Sequence, residues 1–257
     1  MISVRTSARW SSLALLAAAT LALAGTAVTP SFAADDGQVY IVQGLPGQTV
    51  DVSIDGKSVA KGVKTAGVVG PFDVAGGKRT VTFRSGGKVV VERKVSVKAK
   101  SSSDVVVHLP AEGTGDATIT AYRNDLWAVP KDKAALTVSH TAAVPAADIR
   151  VNNKVLFQDI SNGESLSLVV PVATYEVGIV PTGKDKPYYF GPVDLTVKGG
   201  ALNRVYAIGD PSKKTMNVAV HVLTASSMGS AKPDKVDTGT GGQAAGVKTT
   251  YVYDLVR

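Results

Sequence analysis

The sequence contains an internal repeat of about one hundred residues. Residues 39–57 and 136–154 each pass from a series of β-forming residues, through a proline, to an aspartate and a turn. Such self-similarity limits the architecture before any single residue is interpreted, because both copies must fold in the same way. The positions that we single out as a structural motif are Pro46, Asp51, Asp55, Gly56, His140, Pro145 and Asp148.

Short segments rich in Val, Ile, Thr and aromatic residues follow one another in both halves, separated by turns. Asp55-Gly56 and similar pairs accept the positive φ angles of tight hairpins. Seven segments lie within residues 39–122 and seven within 136–223. The sequence predicts an all-β protein with two tandem immunoglobulin-like β-sandwiches of about seven strands each. One large barrel is the alternative.

The first 33 residues have the three parts of a secretory signal peptide. Arg5 and Arg9 make a positive start, an apolar run covers residues 13–24, and small residues precede Ala34. The run is shorter than the roughly 20 residues of a membrane span. We expect export through the general secretory route, cleavage near Ala33, and no transmembrane segment in the mature chain. A retained membrane anchor is the alternative.

The chain has no cysteine, so buried apolar surface must stabilise the exported fold without disulfides. The formal net charge is +7, of which Arg5 and Arg9 of the predicted signal peptide contribute two. A modest positive charge is suited to a mature protein that contacts anionic wall polymers or phospholipid. The same charge is equally explained as a means of keeping the protein soluble.

The second copy, in which His140 and Pro145 precede Asp148-Ile-Arg-Val-Asn-Asn, resembles the signature of the domain of unknown function 4397 family. The first copy is similar to another version of the same opening, and residues 72–83 and 168–179 resemble a later segment of the family. The resemblance covers residues 38–225 as two tandem copies. It implies a secreted or surface protein, of a kind common in Gram-positive actinobacteria, with no assigned catalytic activity.

The motif has a structural interpretation. Side chains alternate along a strand, so Val52 and Ile54 point to one face and Asp51 to the other. We interpret Asp51 and Asp148 as acceptors of backbone or hydroxyl hydrogen bonds where a strand begins. Ligand binding by these aspartates is the alternative.

The three histidines do not favour catalysis or metal binding. His108, His140 and His221 occupy different positions in the two copies, and Gln43 stands where the second copy has His140. The sequence has no zinc-ligand spacing, no Gly-x-Ser-x-Gly elbow and no glycine-rich phosphate loop leading into a helix. We therefore expect no catalytic residues, no cofactor and no metal, and a protein that is not an enzyme.

Basic residues are concentrated between Lys57 and Lys100, where eleven lysines and arginines stand against Asp73 and Glu92. Such a face can hold teichoic-acid phosphate, an acidic glycan or an anionic headgroup. Protection of a sheet edge against aggregation is the alternative role. Nucleic acid is not an expected partner, because aromatic residues are not interleaved with the basic ones. The candidate polyanion contacts are Lys78, Arg79, Arg84, Lys88, Arg93 and Lys94.

The predicted organisation is a signal peptide (1–33), a first sandwich (38–123), a linker (124–133), a second sandwich (134–225) and a disordered Gly/Ser-rich tail (226–257). Trp127 and Pro130 of the linker are expected to pack between the domains. The last residues, 249–253, can add a strand to a sheet edge of this chain or of a partner.

We therefore expect an exported, non-catalytic binding or structural module of the cell envelope, associated with an anionic cell-wall polymer or another envelope protein. The alternative is an enzyme or enzyme accessory whose site is built from loops. The ligand and the oligomeric state do not follow from the sequence.

Overall fold

A computed structural model describes residues 35–126, 129–224 and 251–252. These residues form β-strands and no helix, so no segment in the described part of the chain can span a membrane as an apolar helix. The predicted signal peptide, Trp127 and most of the predicted tail lie outside the described residues.

The first half of the chain forms two four-stranded sheets. The first inner sheet has the order β4-β1-β7-β8, and the first outer sheet has the order β3-β2-β5-β6. Their strands are β1 Asp36–Gln43, β2 Thr49–Ile54, β3 Lys57–Lys64, β4 Val68–Ala75, β5 Gly77–Ser85, β6 Lys88–Val97, β7 Ser102–His108 and β8 Thr118–Asn124.

The second half repeats this arrangement strand for strand. The second inner sheet has the order β12-β9-β15-β16, and the second outer sheet has the order β11-β10-β13-β14. A short C-terminal strand, β17 Tyr251–Val252, adds to the free edge of β12. The other strands are β9 Lys133–Ala142, β10 Ala147–Val151, β11 Lys154–Ile160, β12 Ser165–Pro171, β13 Thr174–Pro181, β14 Phe190–Thr196, β15 Ala201–Gly209 and β16 Asn217–Thr224.

The prediction of an all-β chain with two β-sandwiches is confirmed, with a strand order of its own in place of the immunoglobulin one. Each half has eight strands where the sequence predicts about seven, because β3 and β11 were missed. Both strands carry exposed lysines, and both pair irregularly with the preceding strand, so their polar and apolar residues do not alternate regularly. The predicted disordered tail contains β17.

Each sandwich has its own apolar core between its two sheets. Val39, Ile41 and Phe83 are fully buried in the first core, and Leu136 and Val205 are buried in the second. Full burial of a large apolar side chain contributes about 1.5–3 kcal/mol, so the cores can hold the fold without disulfides. 

The two inner sheets pack against each other. In β1, Val39 and Ile41 enter the first core, while Tyr40 and Val42 point the opposite way and contact residues of β15 and β16. Every residue of β15 is buried. The central strands of the inner sheets, β1, β7, β9 and β15, are therefore covered on both faces. The described chain forms four stacked layers: outer, inner, inner, outer.

Candidate functional site

The repeated aspartates hold irregular strand pairs in place. Asp51 accepts a hydrogen bond from the main-chain N–H of Gly62 at 2.9 Å, and Asp148 accepts one from Asp159 at the same distance. In both copies the donor lies eleven residues downstream and has a positive φ. Asp148 is buried and also accepts the N–H of Gly183 at 2.9 Å, whereas Asp51 is exposed. The hydrogen bonds described for both aspartates are therefore accepted from main-chain N–H groups of the same sandwich.

The hairpins that follow the aspartates end in the predicted turns. In the Asp55-Gly56 turn and the Asn152-Asn153 turn, both central residues have positive φ, as a two-residue type I′ hairpin requires. In each turn, the side chain of the first central residue accepts a hydrogen bond from the next strand of the sheet. Asp55 accepts the N–H of Thr80 at 2.8 Å, and Asn152 accepts that of Glu176 at 3.1 Å.

His140 has a structural counterpart in Gln43. The Nε2 of Gln43 donates to the carbonyl of Gln48 at 3.0 Å, and the Nε2 of His140 donates to that of Pro145 at 3.1 Å. Both side chains are buried and both bind a carbonyl five residues downstream. Pro145 of the second copy therefore corresponds to Gln48 of the first copy. Pro46 lies two residues before Gln48 in the first copy. Burial lowers the pKa of His140.

His108 is also buried and bonded within the fold. Its Nδ1 lies 2.9 Å from the carbonyl of Leu109 and its Nε2 lies 2.9 Å from the hydroxyl of Thr120. A carbonyl only accepts, so Nδ1 carries the proton of the neutral ring and Nε2 accepts from Thr120. Burial lowers the pKa of His108 to about 4. Among the residues the structure describes, no group of three or more acidic or histidine side chains could hold a metal ion.

Asp104 lies at the centre of a polar cluster buried between the two inner sheets. One carboxylate oxygen accepts from the hydroxyl of Tyr206 at 2.6 Å and from Nδ1 of His221 at 2.9 Å. The other accepts from Nδ2 of Asn124 at 2.7 Å. Tyr206 and His221 belong to the second sandwich, so these bonds join the two halves of the chain.

Arg204 supplies the positive charge of this cluster. Its Nη1 donates to the carbonyl of Arg123 at 2.8 Å and to Oδ1 of Asn124 at 2.9 Å. The guanidinium carbon lies 5.3 Å from the ring centre of Tyr122 and 5.7 Å from that of Tyr206, within cation–π distance. Arg204 is almost fully buried.

The protonation states of the cluster follow from its surroundings. Burial acts to raise the pKa of Asp104, but the His221 hydrogen bond and the charges of Arg204 and His221 outweigh it, so that pKa lies below its usual value. Burial raises the pKa of Tyr206 and of Tyr122, so both phenols keep their protons and donate. The cluster is closed to ligands because Asp104 and Tyr206 are fully buried. Its role is to join the sandwiches.

The sequence did not reveal this cluster, because its members are spread from β7 to β16. One signal was available. In several buried strands, large polar side chains alternate with apolar residues, and both kinds of position are buried. These polar residues are Tyr40, Asp104, Tyr122, Arg204 and Tyr206. Large polar side chains on the second face of a buried strand indicate a second packed layer.

The first outer sheet is strongly basic. Its four strands carry nine lysines and arginines and only two acids, Asp51 and Glu92. The strands of the second outer sheet carry two basic residues, Arg150 and Lys154, and four acids. The two ends of the stack therefore differ in charge.

Lys78 and Lys94 are neighbours on the solvent face of the basic sheet. Lys78 is paired with Ser96, and the adjacent Thr80 is paired with Lys94. The alternate residues of β5 and β6 point into the first core, so these four side chains share the outer face. Residues placed diagonally on one face lie about 7–8 Å apart. Both lysines are exposed, and the described part of the chain offers them no ion pair.

Two predicted polyanion contacts lie elsewhere. Arg79 faces away from Lys78 and donates to the carbonyls of Ala75 at 2.7 Å and Gly76 at 2.5 Å. Arg93 reaches from β6 to β8 and donates to the carbonyl of Ile119 at 3.1 Å. The sequence placed these arginines with the exposed lysines, but their guanidinium groups bind carbonyls of the same chain.

The remaining two candidates lie nearer the other end of the sheet. Arg84 is opposite Asp51 and donates to the hydroxyl of Ser53 at 3.1 Å. Lys88 follows the Gly86-Gly87 turn and is exposed. The candidates that face solvent as free ammonium groups are therefore Lys78, Lys88 and Lys94.

Both sandwiches open between their sheets beside the repeated hairpin. The opening in the first has a volume of about 550 Å³, and its lining includes Asp55, Lys57, Asp73 and Arg79. The equivalent slot in the second measures about 270 Å³ and is mainly apolar. Its lining residues are Leu136, Val151, Asn152, Lys154, Leu156, Phe157, Leu168, Val169, Val170, Pro171 and Tyr175.

Residues 37–150 match the sequence model of the family described as Domain of unknown function (DUF4397). The match supports the family whose signature the sequence resembles. It covers the first sandwich and continues into β10, so most of the second sandwich lies beyond it.

Among solved structures, the Bacillus anthracis TIE protein is similar at 14% sequence identity with a TM-score of 0.21. The similarity covers 68% of this chain and 33% of that one, so this chain spans about a third of the TIE protein's length. No curated protein matches the sequence.

Proposed function

We propose that this protein is an exported, non-catalytic module of the cell envelope that binds a phosphate-bearing wall polymer on the solvent face of its basic sheet. The observation that carries the proposal is the charge of that sheet, where nine basic residues stand against two acids. Because the second outer sheet is acidic, we expect a polyanion to be attracted to the first outer sheet and not to the second.

The arrangement on β5 and β6 suits a chain of phosphates. Lys78 and Lys94 provide two ammonium groups, and Thr80 and Ser96 provide hydroxyls between them. Ammonium groups bind phosphate as point charges, without the fixed geometry of a guanidinium. A flat face of this kind favours a polymer with repeated charges over a single small anion, because many weak contacts add along its length.

The fold itself uses the side chains that catalysis would need. His108, His140 and Asp148 are buried and bonded to the main chain or to a neighbouring hydroxyl, and Asp104 is enclosed between the sandwiches. This supports a non-catalytic role. The signal sequence and the absence of cysteine support export without disulfides.

Binding is tested with purified cell walls, polyphosphate and phosphatidylglycerol vesicles across a salt series. We expect the Lys78→Glu/Lys94→Glu variant to bind walls and polyphosphate at least tenfold more weakly than the unaltered protein. The matched control is Lys184→Glu/Lys186→Glu, which changes the same charge at exposed positions of the second sandwich. Screening should weaken the binding as salt rises.

Three results would count against the proposal: binding that does not respond to salt, equal losses in both variants, or binding to vesicles without binding to walls. The last result would assign the basic face to a lipid headgroup. Export is checked separately by sequencing the amino terminus of the protein recovered outside the cell, which we expect to begin at Ala34.

A further inference from the structure

The slot of the second sandwich and the opening of the first occupy equivalent places in the repeat. Each lies beside the repeated hairpin, between its second strand and the edge strand of the inner sheet. In the first sandwich, Phe72 of that edge strand pairs with Val39. In the second, Leu168 pairs with the equivalent Leu136. The walls of the two openings can therefore be compared residue by residue. 

Tyr175 in the slot takes the place of Arg79 in the first opening. The guanidinium of Arg79 donates to the carbonyl of Ala75 at 2.7 Å. The hydroxyl of Tyr175 donates to the carbonyl of Pro171 at 2.8 Å. In both copies the acceptor lies four residues upstream, so the same hydrogen bond is made without a charge in the second copy.

The acids of the first opening are also replaced. Val169 occupies the position of Asp73, and Asn152 occupies that of Asp55. Together with the change from arginine to tyrosine, these differences remove one positive and two negative charges from the walls. The second slot is therefore an apolar version of an opening that is charged in the first sandwich.

One positive charge is kept at the mouth of the slot. Lys154 begins β11 as Lys57 begins β3, and both side chains are exposed. Of the described residues that line the slot, Lys154 alone is charged. None of the acidic side chains in the described ranges forms an ion pair with it. The mouth therefore presents an ammonium group next to apolar walls.

The interior of the slot is suited to hydrocarbon. The hydroxyl of Tyr175 already binds Pro171, and the side-chain oxygen of Asn152 accepts the N–H of Glu176 at 3.1 Å. The other walls are leucine, valine, proline and phenylalanine side chains. A polar group placed among them would lose its water without gaining a partner. The part of a ligand that enters the slot must therefore be apolar.

The slot has the size of one hydrocarbon chain. Its volume is about 270 Å³, and a smaller cavity of about 50 Å³ shares Leu136 and Val151 with it, so the slot reaches the middle of the second core. An apolar cavity of about 150 Å³ lined by similar side chains stays dry and binds benzene. In proportion, the slot has room for about ten carbon atoms. A lipid with two long chains would not fit.

We propose that the slot of the second sandwich binds a single-chain anionic amphiphile. The hydrocarbon chain enters between β11 and β12, and Lys154 holds its carboxylate or phosphate head at the mouth. This site lies in the second sandwich, whereas the proposed polymer contacts lie on the outer sheet of the first. Failure of one kind of binding therefore leaves the other intact, and the two proposals are tested separately.

The length of the chain is tested by titration calorimetry with saturated carboxylates of increasing length, below the concentrations at which they form micelles. Each added methylene should strengthen binding about fourfold until the slot is full, at about ten carbons. Longer chains should then gain no further affinity. The absence of binding at every length overturns the proposal. A rise that continues well beyond this length also overturns it, because the chain would then lie on an open surface.

The head group is tested with decanoate, decyl phosphate and decanol, which share one chain. We expect the anions to bind at least fivefold more tightly than the alcohol, and rising salt should reduce the difference. The more tightly bound of the two anions identifies the natural head as carboxylate or phosphate. Equal affinity for decanol overturns the role assigned to Lys154.

The repeat supplies matched control variants. Leu156→Trp fills the slot and should weaken decanoate binding at least tenfold, whereas Val59→Trp makes the corresponding change in the first opening and should have no effect. Lys154→Gln should weaken decanoate binding at least fivefold and leave decanol binding unchanged, and Lys57→Gln should alter neither. Both lysines are exposed, so these two variants should stay folded, which urea unfolding verifies. Equal losses within either pair overturn the proposal.

Discussion

The hydroxyl of Tyr206 donates a 2.6 Å hydrogen bond to the carboxylate of Asp104, which lies 102 residues away in the other sandwich. Both side chains are fully buried. This bond and the one from His221 to the same carboxylate fix how the two inner sheets face each other, while Asn124 of the same sheet as Asp104 binds the other carboxylate oxygen. The first prediction concerns this contact.

Replacement of Asp104 by asparagine should lower the free energy of unfolding by about 3 kcal/mol, because it leaves the buried Arg204 without its counter-charge. The measurement is urea unfolding at pH 7. Asp116→Asn removes the same charge from an exposed loop position and should change the stability by less than about 0.5 kcal/mol. Similar losses in both variants would contradict a special role for the interface.

His108 should make the fold sensitive to mild acid. Its folded-state pKa of about 4 is below the usual 6.5, so the unfolded chain takes up a proton as pH falls through 6.5 while the native chain does not. The stabilisation is present above pH 6.5 and is lost as pH falls toward 4, by roughly 3 kcal/mol from this group. His140 acts in the same direction. His108→Gln should flatten the plot of urea midpoint against pH in this window, and an unchanged slope would reject the assignment.

His140 should be replaceable by the residue of the first copy. His140→Gln keeps a side-chain N–H for the carbonyl of Pro145 and should cost less than about 1 kcal/mol, whereas His140→Ala leaves that carbonyl without its donor and should cost about 1–3 kcal/mol. Thermal unfolding distinguishes the two. Wall binding should be equal in wild type and His140→Gln, and its loss would show a functional histidine.

The two repeated aspartates should differ in their contribution to stability. Asp148→Ala removes a buried acceptor from the N–H groups of Asp159 and Gly183, and we expect a loss of about 3 kcal/mol. Asp51→Ala affects one exposed donor, Gly62, and should cost less than about 1 kcal/mol. Chemical denaturation of both variants checks the ranking, and equal costs would contradict it.

Local features of this fold could be predicted from the sequence because they depend on neighbours along the chain. The Asp55-Gly56 turn needs only two residues that accept positive φ, and the alternation that puts Val52 in the core is read within one strand. The hydrogen bonds of Asp51 and Asp148 follow from their place beside such turns. The repeat then extended each local prediction to the second copy.

The remaining features depend on contacts that no local pattern contains. Arg79 and Arg93 have the same composition signal as Lys78 and Lys94, but the pleat turns them to the other face, where carbonyls bind them. β3 and β11 are irregular because each contains the extra residues of two bulges in its pairing with the preceding strand. The Asp104 cluster requires β7 to meet β15 and β16, which only the stacking of whole sheets brings about.

Burial of the central strands of the inner sheets on both faces makes each repeat dependent on the other. Although the chain consists of two similar halves, neither has a finished outer surface. A half expressed alone would present Tyr40 and Tyr122, or Tyr206 and Arg204, to water. One repeat transferred alone into another protein would therefore expose the surface that it buries against the other repeat. The two repeats together are the smallest unit that can be transferred.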